Sequence, residues 1–136
     1  MASGKTRIMS QDYQSIGFQV RIKEQINIEE LANRIGKIIG CIFTPGYSQH
    51  FDDSAYLSTC LGLSLELLSP DISNNSLSGK FALFGFVNKE VSINWPLNHQ
   101  YTSISLYILR LLQNLDNENW YIPTKDEILS EAGIDE

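Results

Sequence analysis

The sequence predicts a single α+β domain in which a mainly antiparallel sheet is covered by two amphipathic helices, with a short third helix at the C-terminal end. Three observations lead there. From Tyr56 to Leu67 the odd positions read Leu57, Thr59, Leu61, Leu63, Leu65, Leu67 and the even ones Tyr56, Ser58, Cys60, Gly62, Ser64, Glu66. That period of two predicts one long strand with a buried face. After the turn-rich run Ser69 to Ser76, Lys80 to Val87 is apolar on both faces and predicts a central strand paired antiparallel with the first. Two further stretches, Ile28 to Ile38 and Tyr101 to Leu115, repeat apolar residues at three- and four-residue steps, so each presents one apolar stripe to the sheet.

The remaining elements follow in chain order. Residues 1–15 carry little periodic apolar signal and read as a flexible arm ahead of a domain spanning 16–136. Within the arm, Ser3-Gly4-Lys5-Thr6 has the ending of a phosphate-binding loop, but the sequence shows neither the earlier glycine nor the preceding strand such a loop needs. Phe18, Val20 and Ile22 alternate with Gln19, Arg21 and Lys23, which predicts a first strand with a basic outer face. Asn27 and Glu30 form a capping-box-like pair for the helix bearing Ile28, Leu31, Ile35 and Ile38, and Gly40 ends it. Cys41-Ile42-Phe43 predicts a short strand, halted by the turn chemistry of Thr44-Pro45-Gly46.

Past the central strand, a turn at Val87 to Glu90 leads to another strand through Val91, Ile93 and Trp95, closed by Pro96. Asn98 is then the expected N-cap of the long helix carrying Tyr101, Ile104, Tyr107, Ile108, Leu111, Leu112 and Leu115, whose tyrosines are assigned to the core. Thr124 and Glu127 make a second capping box for a short helix with Ile128, Leu129 and Ala132 on its apolar side, ended by Gly133. Trp120 and Tyr121 are neighbours in an extended segment, so one points inward and the other outward.

Composition narrows the function classes. At 136 residues, with 43% apolar and 19% charged side chains, the chain supports one core of ordinary size. No apolar run reaches the roughly 18 residues that span a bilayer, and no hydrophobic stretch after Lys5 and Arg7 marks a secretory leader, so a cytoplasmic protein is expected. The net charge is -6, and it is local: residues 1–115 hold nine acids and nine bases, whereas from Asp116 onward seven acids face Lys125 alone. A nucleic-acid binder would cluster Lys and Arg instead, so neither nucleic acid nor membrane is an expected partner. Cys41 and Cys60 sit among apolar residues as small hydrophobic thiols, and nothing demands a disulfide between them.

Chemically capable side chains are densest in the loop Tyr47 to Asp53, with His50, Asp52 and Asp53. An enzyme would use His50 as a general base oriented by a carboxylate, with Cys41 or Tyr47 completing the site. A surface loop serving solvent or a partner explains the same residues. His50 and His99 lack companions at metal-ligand spacing, and there is no nucleophile elbow or dinucleotide-binding glycine fingerprint, so no metal, cofactor or catalytic residue is expected.

Small acidic chains of this build without a catalytic motif resemble the immunity proteins of bacterial toxin systems, a resemblance carried by size, by the acidic end Asp116 to Glu136 and by the missing chemistry. It implies a cytoplasmic inhibitor that binds a cognate toxin domain, often a basic nuclease, by plugging its active-site cleft. On charge and aromatic content the partner face is assigned to Asp116, Glu118, Trp120, Tyr121, Asp126, Glu127 and Glu131, with Asp52 and Asp53 beside it. Two other classes stay open: an adaptor or structural subunit that forms a homodimer through an exposed sheet edge, and a small-molecule enzyme using His50 with Asp52 or Asp53.

Overall fold

The computed structural model describes residues 13–70, 77–87 and 99–133. Among these residues the chain runs β1 (Tyr13–Lys23), α1 (Ile28–Ile39), β2 (Thr44–Ser48), β3 (Asp53–Cys60), β4 (Leu63–Leu68), β5 (Lys80–Val87), β6 (His99–Ser103), α2 (Ser105–Leu115) and α3 (Lys125–Glu131). The six strands form one mixed sheet in the order β2-β3-β4-β5-β1-β6, antiparallel throughout except where β1 runs parallel to β6. The fold is therefore α+β, and none of the described helices is long and apolar enough to cross a membrane. The expected strand Val91 to Trp95 and the cap Asn98 lie outside the described residues.

One face of the sheet carries the main core. Phe18, Val20 and Ile22 of β1, Leu65 and Leu67 of β4, and Phe81 and Leu83 of β5 pack against Leu31 and Ile35 of α1 and Ile108 and Leu112 of α2. Helix α1 forms as its spacing predicts: Asn27 accepts from the Glu30 amide at 2.9 Å, and Gly40 closes it in the left-handed region at φ 91°. At roughly 1.5–3 kcal/mol for each fully buried aliphatic side chain, the four helical anchors supply a sum comparable with the net stability of a whole domain. Close packing shows at Gly85, where an added Cβ would lie 2.3 Å from the Phe18 ring opposite it in the register.

Several elements differ from the sequence reading. The alternating run to Leu67 is two strands joined by Leu61-Gly62, both with positive φ (51° and 84°), the conformation of a two-residue hairpin. Cys60 pairs with Leu63, so the core-facing parity switches from even in β3 to odd in β4. The apolar alternation therefore survives the turn that it conceals. Further upstream, the strand is Thr44–Ser48 and not Cys41 to Phe43, because Pro45 is tolerated where an edge strand turns its missing N–H away from the ladder. Strand β1 starts at Tyr13, inside the expected arm, since its first half pairs with β6.

That same pairing shortens the long helix. Residues 99–103, Tyr101 among them, complete the sheet beside β1, and α2 begins at Ser105. The Ile104 amide donates to the Gly17 carbonyl at 2.9 Å, and the Ser103 hydroxyl accepts from the Ser105 amide at 3.2 Å. Of the apolar residues of α2, Ile108 and Leu112 are the buried ones; Tyr107 is 66% exposed and Leu115 62%, so neither belongs to the core.

Leu61 offers a clean test of the hairpin. Its side chain is 98% exposed and its backbone is left-handed, a conformation that costs a non-glycine residue about 1–2 kcal/mol and that asparagine tolerates. Leu61→Asn is expected to raise the stability to urea by about 1 kcal/mol, read as a higher denaturation midpoint at unchanged slope.

Candidate partner-binding face

The second face of the sheet carries a different chemistry. Because β1 alternates, Arg21 points away from the core that receives Val20 and Ile22, and in the register it neighbours Ala82, with Lys80 two positions along β5. Both cations are buried, Arg21 to 1% exposure. Helix α3 crosses above them, its first turn capped by Thr124, whose hydroxyl accepts from the Glu127 amide at 3.1 Å. Glu127 and Glu131, four residues apart and so on one side of the helix, both face down. Glu131 grips Arg21 in a two-pronged contact (Nη2 to Oε1 2.7 Å, Nε to Oε2 3.0 Å), while Lys80 Nζ lies 2.6 Å from Glu131 and 2.5 Å from Glu127.

The segment leading to α3 is fixed in the same manner. Arg21 and Tyr121 exchange backbone hydrogen bonds of 2.8 and 2.9 Å, extending the sheet by one residue. Trp120 then falls on the core face, fully buried, and the half-buried Tyr121 falls on the other, where its hydroxyl donates to Glu127 at 2.6 Å. The Trp120 indole donates to Asp116 at 2.8 Å, and Asp116 also pairs with Arg34 at 2.7 Å. Burial pushes the carboxyls of Asp116, Glu127 and Glu131 up, but hydrogen bonds from Arg34 and Trp120, from Lys80 and Tyr121, and from Arg21 and Lys80 more than reverse it. All three sit below their ordinary range. Burial, then the bond to Glu127, raises the Tyr121 phenol well above its usual value.

Across the same face lies the turn between β2 and β3. Glu66, buried on β4, accepts from the Ser48 hydroxyl at 2.5 Å, and Ser48 in turn accepts from the Phe51 amide at 3.1 Å, which ties the turn down. His50 places Nδ1 3.3 Å from Glu66, and its ring stacks on Phe86 at 4.3 Å between centroids. The carboxylate beside His50 is thus Glu66, sixteen positions along the chain, rather than Asp52 or Asp53. The Ser48 proton is directed to Glu66 and not to the imidazole. Asp53 is buried and accepts from the Ser54 amide, and Asp52 is exposed at φ 55°. Among the described residues no group of three or more His, Cys, Asp or Glu side chains is placed to hold a metal ion.

Between this turn and α3 runs a groove of about 200 Å³, with Phe84 and Gln19 among its lining, Phe51, Leu68 and Leu77 on the side of the turn, and Ile128 and Ala132 on the side of the helix. Arg21 also lies over the Phe84 ring, 4.9 Å from its centre. The groove joins two stretches that the sequence could only list separately, Asp52 with its neighbours and the residues of α3. It also divides the expected partner face. Asp116, Glu127 and Glu131 make internal ion pairs and Trp120 is core, whereas Glu118, Asp126 and Asp52 are exposed. Sequence reasoning missed Arg21, Lys80 and Glu66 as organisers. The available signal was a charge inside otherwise apolar strands, which has to find a buried counter-charge.

Removing Glu131 leaves two buried cations with less negative charge than they need, so Glu131→Gln is expected to cost about 3 kcal/mol of folding stability. The depressed carboxyls also set a pH dependence. Their stabilisation is fully present above the ordinary glutamate value near 4.5 and is lost as pH falls through and below it. Denaturant unfolding from pH 7 to pH 3 is expected to show this decline in the parent and a shallower one in Glu131→Gln. No family model matches the chain, and comparison with curated proteins and with solved structures yields no relative of either kind.

Proposed function

We propose that this protein is a non-catalytic protein-binding module, an inhibitor of the immunity-protein kind that engages a basic toxin domain through the face bearing α3 and the His50 turn. The groove carries this reading. It is small, about 200 Å³, it is lined mainly by carbon, and it lies beside the exposed carboxylates Asp52 and Asp126. That combination suits a protein surface, where a central apolar contact supplies binding energy and peripheral charge speeds encounter and sets orientation. The paired acids Glu127 and Glu131 hold this face in shape, Asp116 is engaged by Arg34 and Trp120 on the helix-covered side, and the exposed Asp126 and Asp52 act on the partner's field.

A second reading, self-association, draws on one observation: among the described residues β2 lies at the edge of the sheet, with four of its five residues exposed. Sedimentation at high protein concentration separates the two, a monomer counting against the dimer.

The inhibitor reading is tested by capturing the partner from native lysate and measuring association with a variant carrying Asp52→Lys and Asp126→Lys. Association is expected to slow at least about tenfold at low salt, and its salt dependence to flatten. Unchanged affinity and salt dependence would remove these acids from the interface.

A further inference from the structure

We propose that Cys41 and Cys60 are a reversible redox pair, two free thiols that the fold holds on one side of the sheet and that close to a disulfide when a small-molecule disulfide is the oxidant. The inference goes beyond the protein-binding reading and does not depend on it. Register comes first. Thr44 of β2 stands opposite Leu57 of β3, and the same register carried back three residues sets Cys41 opposite Cys60. Residues directly opposite in an antiparallel pair have Cα atoms roughly 4.5–5.5 Å apart, inside the roughly 4.4–6.8 Å that a disulfide spans. The backbone ladder ends at Thr44, and beyond it side chains maintain the contact: the Ser58 hydroxyl donates to the Ile42 carbonyl at 2.7 Å and lies within hydrogen-bond reach of the Cys41 thiol.

Direction and access agree with the register. Both cysteines pack against the main core, so both side chains lie on the helix-covered face, and each is half-buried, within reach of a small oxidant. Burial raises the Cys41 thiol, and Cys60 is near enough for its charge to add to that rise. The two are anchored in different elements. The amides of Gly40 and Cys41 both donate to the Gly36 carbonyl, at 2.7 and 2.9 Å, closing α1, while Cys60 is the last residue of β3 and pairs with Leu63 across the hairpin. Residues 41–43 belong to no helix or strand, and an open groove separates Cys41 and Ile42 from Ser58 and Thr59, so this connection can adjust its torsions without breaking a ladder.

The chemistry is thiol–disulfide exchange. One cysteine thiolate attacks a sulfur of oxidised glutathione and displaces one glutathione thiolate, leaving a mixed disulfide; the second cysteine thiolate then attacks the protein sulfur of that bond and displaces the other. The two protein thiols give up two electrons and two protons, which leave on two molecules of reduced glutathione. The new bond ties the end of α1 to the tip of the β3–β4 hairpin. It closes a loop of about 20 residues, and constraining the unfolded chain to that extent is expected to favour folding by about a hundredfold.

The test equilibrates the full native chain with oxidised glutathione and reads it by intact mass, by thiol counting after unfolding and by urea denaturation. The chain is expected to lose the mass of two hydrogens and both free thiols, and cleavage at Asp52 and Asp53 to leave two fragments that separate only on reduction. The urea midpoint is expected to rise above that of the reduced chain, and dithiothreitol to reverse every change. Cys41→Ser and Cys60→Ser are each expected to take up one glutathione instead and to show no such rise, with the alanine variant used where the serine one fails to fold. Glutathione retained on both cysteines of the parent, disulfide-linked dimers, or a bond that forms only once urea has unfolded the chain each overturn the pair. A bond that forms in the native chain but leaves the urea midpoint unchanged or lower overturns it as well, because closure would then strain the fold that is meant to hold the thiols together.

Discussion

Two positive charges buried beneath a seven-residue helix are the constraint on which the far face of this protein depends. Isolated in the interior, Arg21 and Lys80 would each carry a penalty of several kcal/mol, and the penalty becomes tolerable only when carboxylates meet them with good geometry. Glu127 and Glu131 supply those carboxylates from one side of α3. A helix so short has little stability of its own in water. Its position follows from the charges beneath it and from the Tyr121 backbone bridge just ahead of it. With α3 placed, one wall of the groove is placed as well.

The sheet gives this arrangement its precision. Alternation along β1 sends Phe18, Val20 and Ile22 into the helix-covered core and leaves Gln19 and Arg21 on the opposite side. The same alternation separates Trp120 from Tyr121. The face bearing α3 is therefore anchored through the backbone to β1, and the turn bearing His50 is anchored through Ser48 to the buried carboxylate of Glu66. Both rims of the groove rest on the rigid sheet, which suits a surface that binds without large rearrangement.

Local signals carried much of the fold. Asn27, Glu30 and Gly40 mark the ends of α1 because capping involves only neighbouring residues, and the Thr124 cap of α3 is readable on the same ground. Lys80 to Val87 reads as a central strand because both of its faces are apolar, although Lys80 itself is an exception that signals a buried partner. The hairpin at Leu61-Gly62 was hidden for a definite reason: a two-residue turn preserves a period-two pattern while exchanging which parity faces the core. The start of α2 was misplaced because the segment 99–103 fits a helical rhythm in isolation, but its backbone completes a parallel ladder with β1.

Charge shows the same division. From the sequence, the excess of acid after Asp116 was plain, as were the α+β class, the apolar stripe of α1 and the short capped helix at the end. Which of those acids face water was not, since that depends on where Arg21, Arg34 and Lys80 lie in space, up to 110 positions away along the chain. Pattern and propensity are properties of neighbours and can be read from order alone. The pairing of a buried charge, the inversion of a strand's faces across a turn, and a groove shared by residues 51 and 132 exist only once distant segments are packed together.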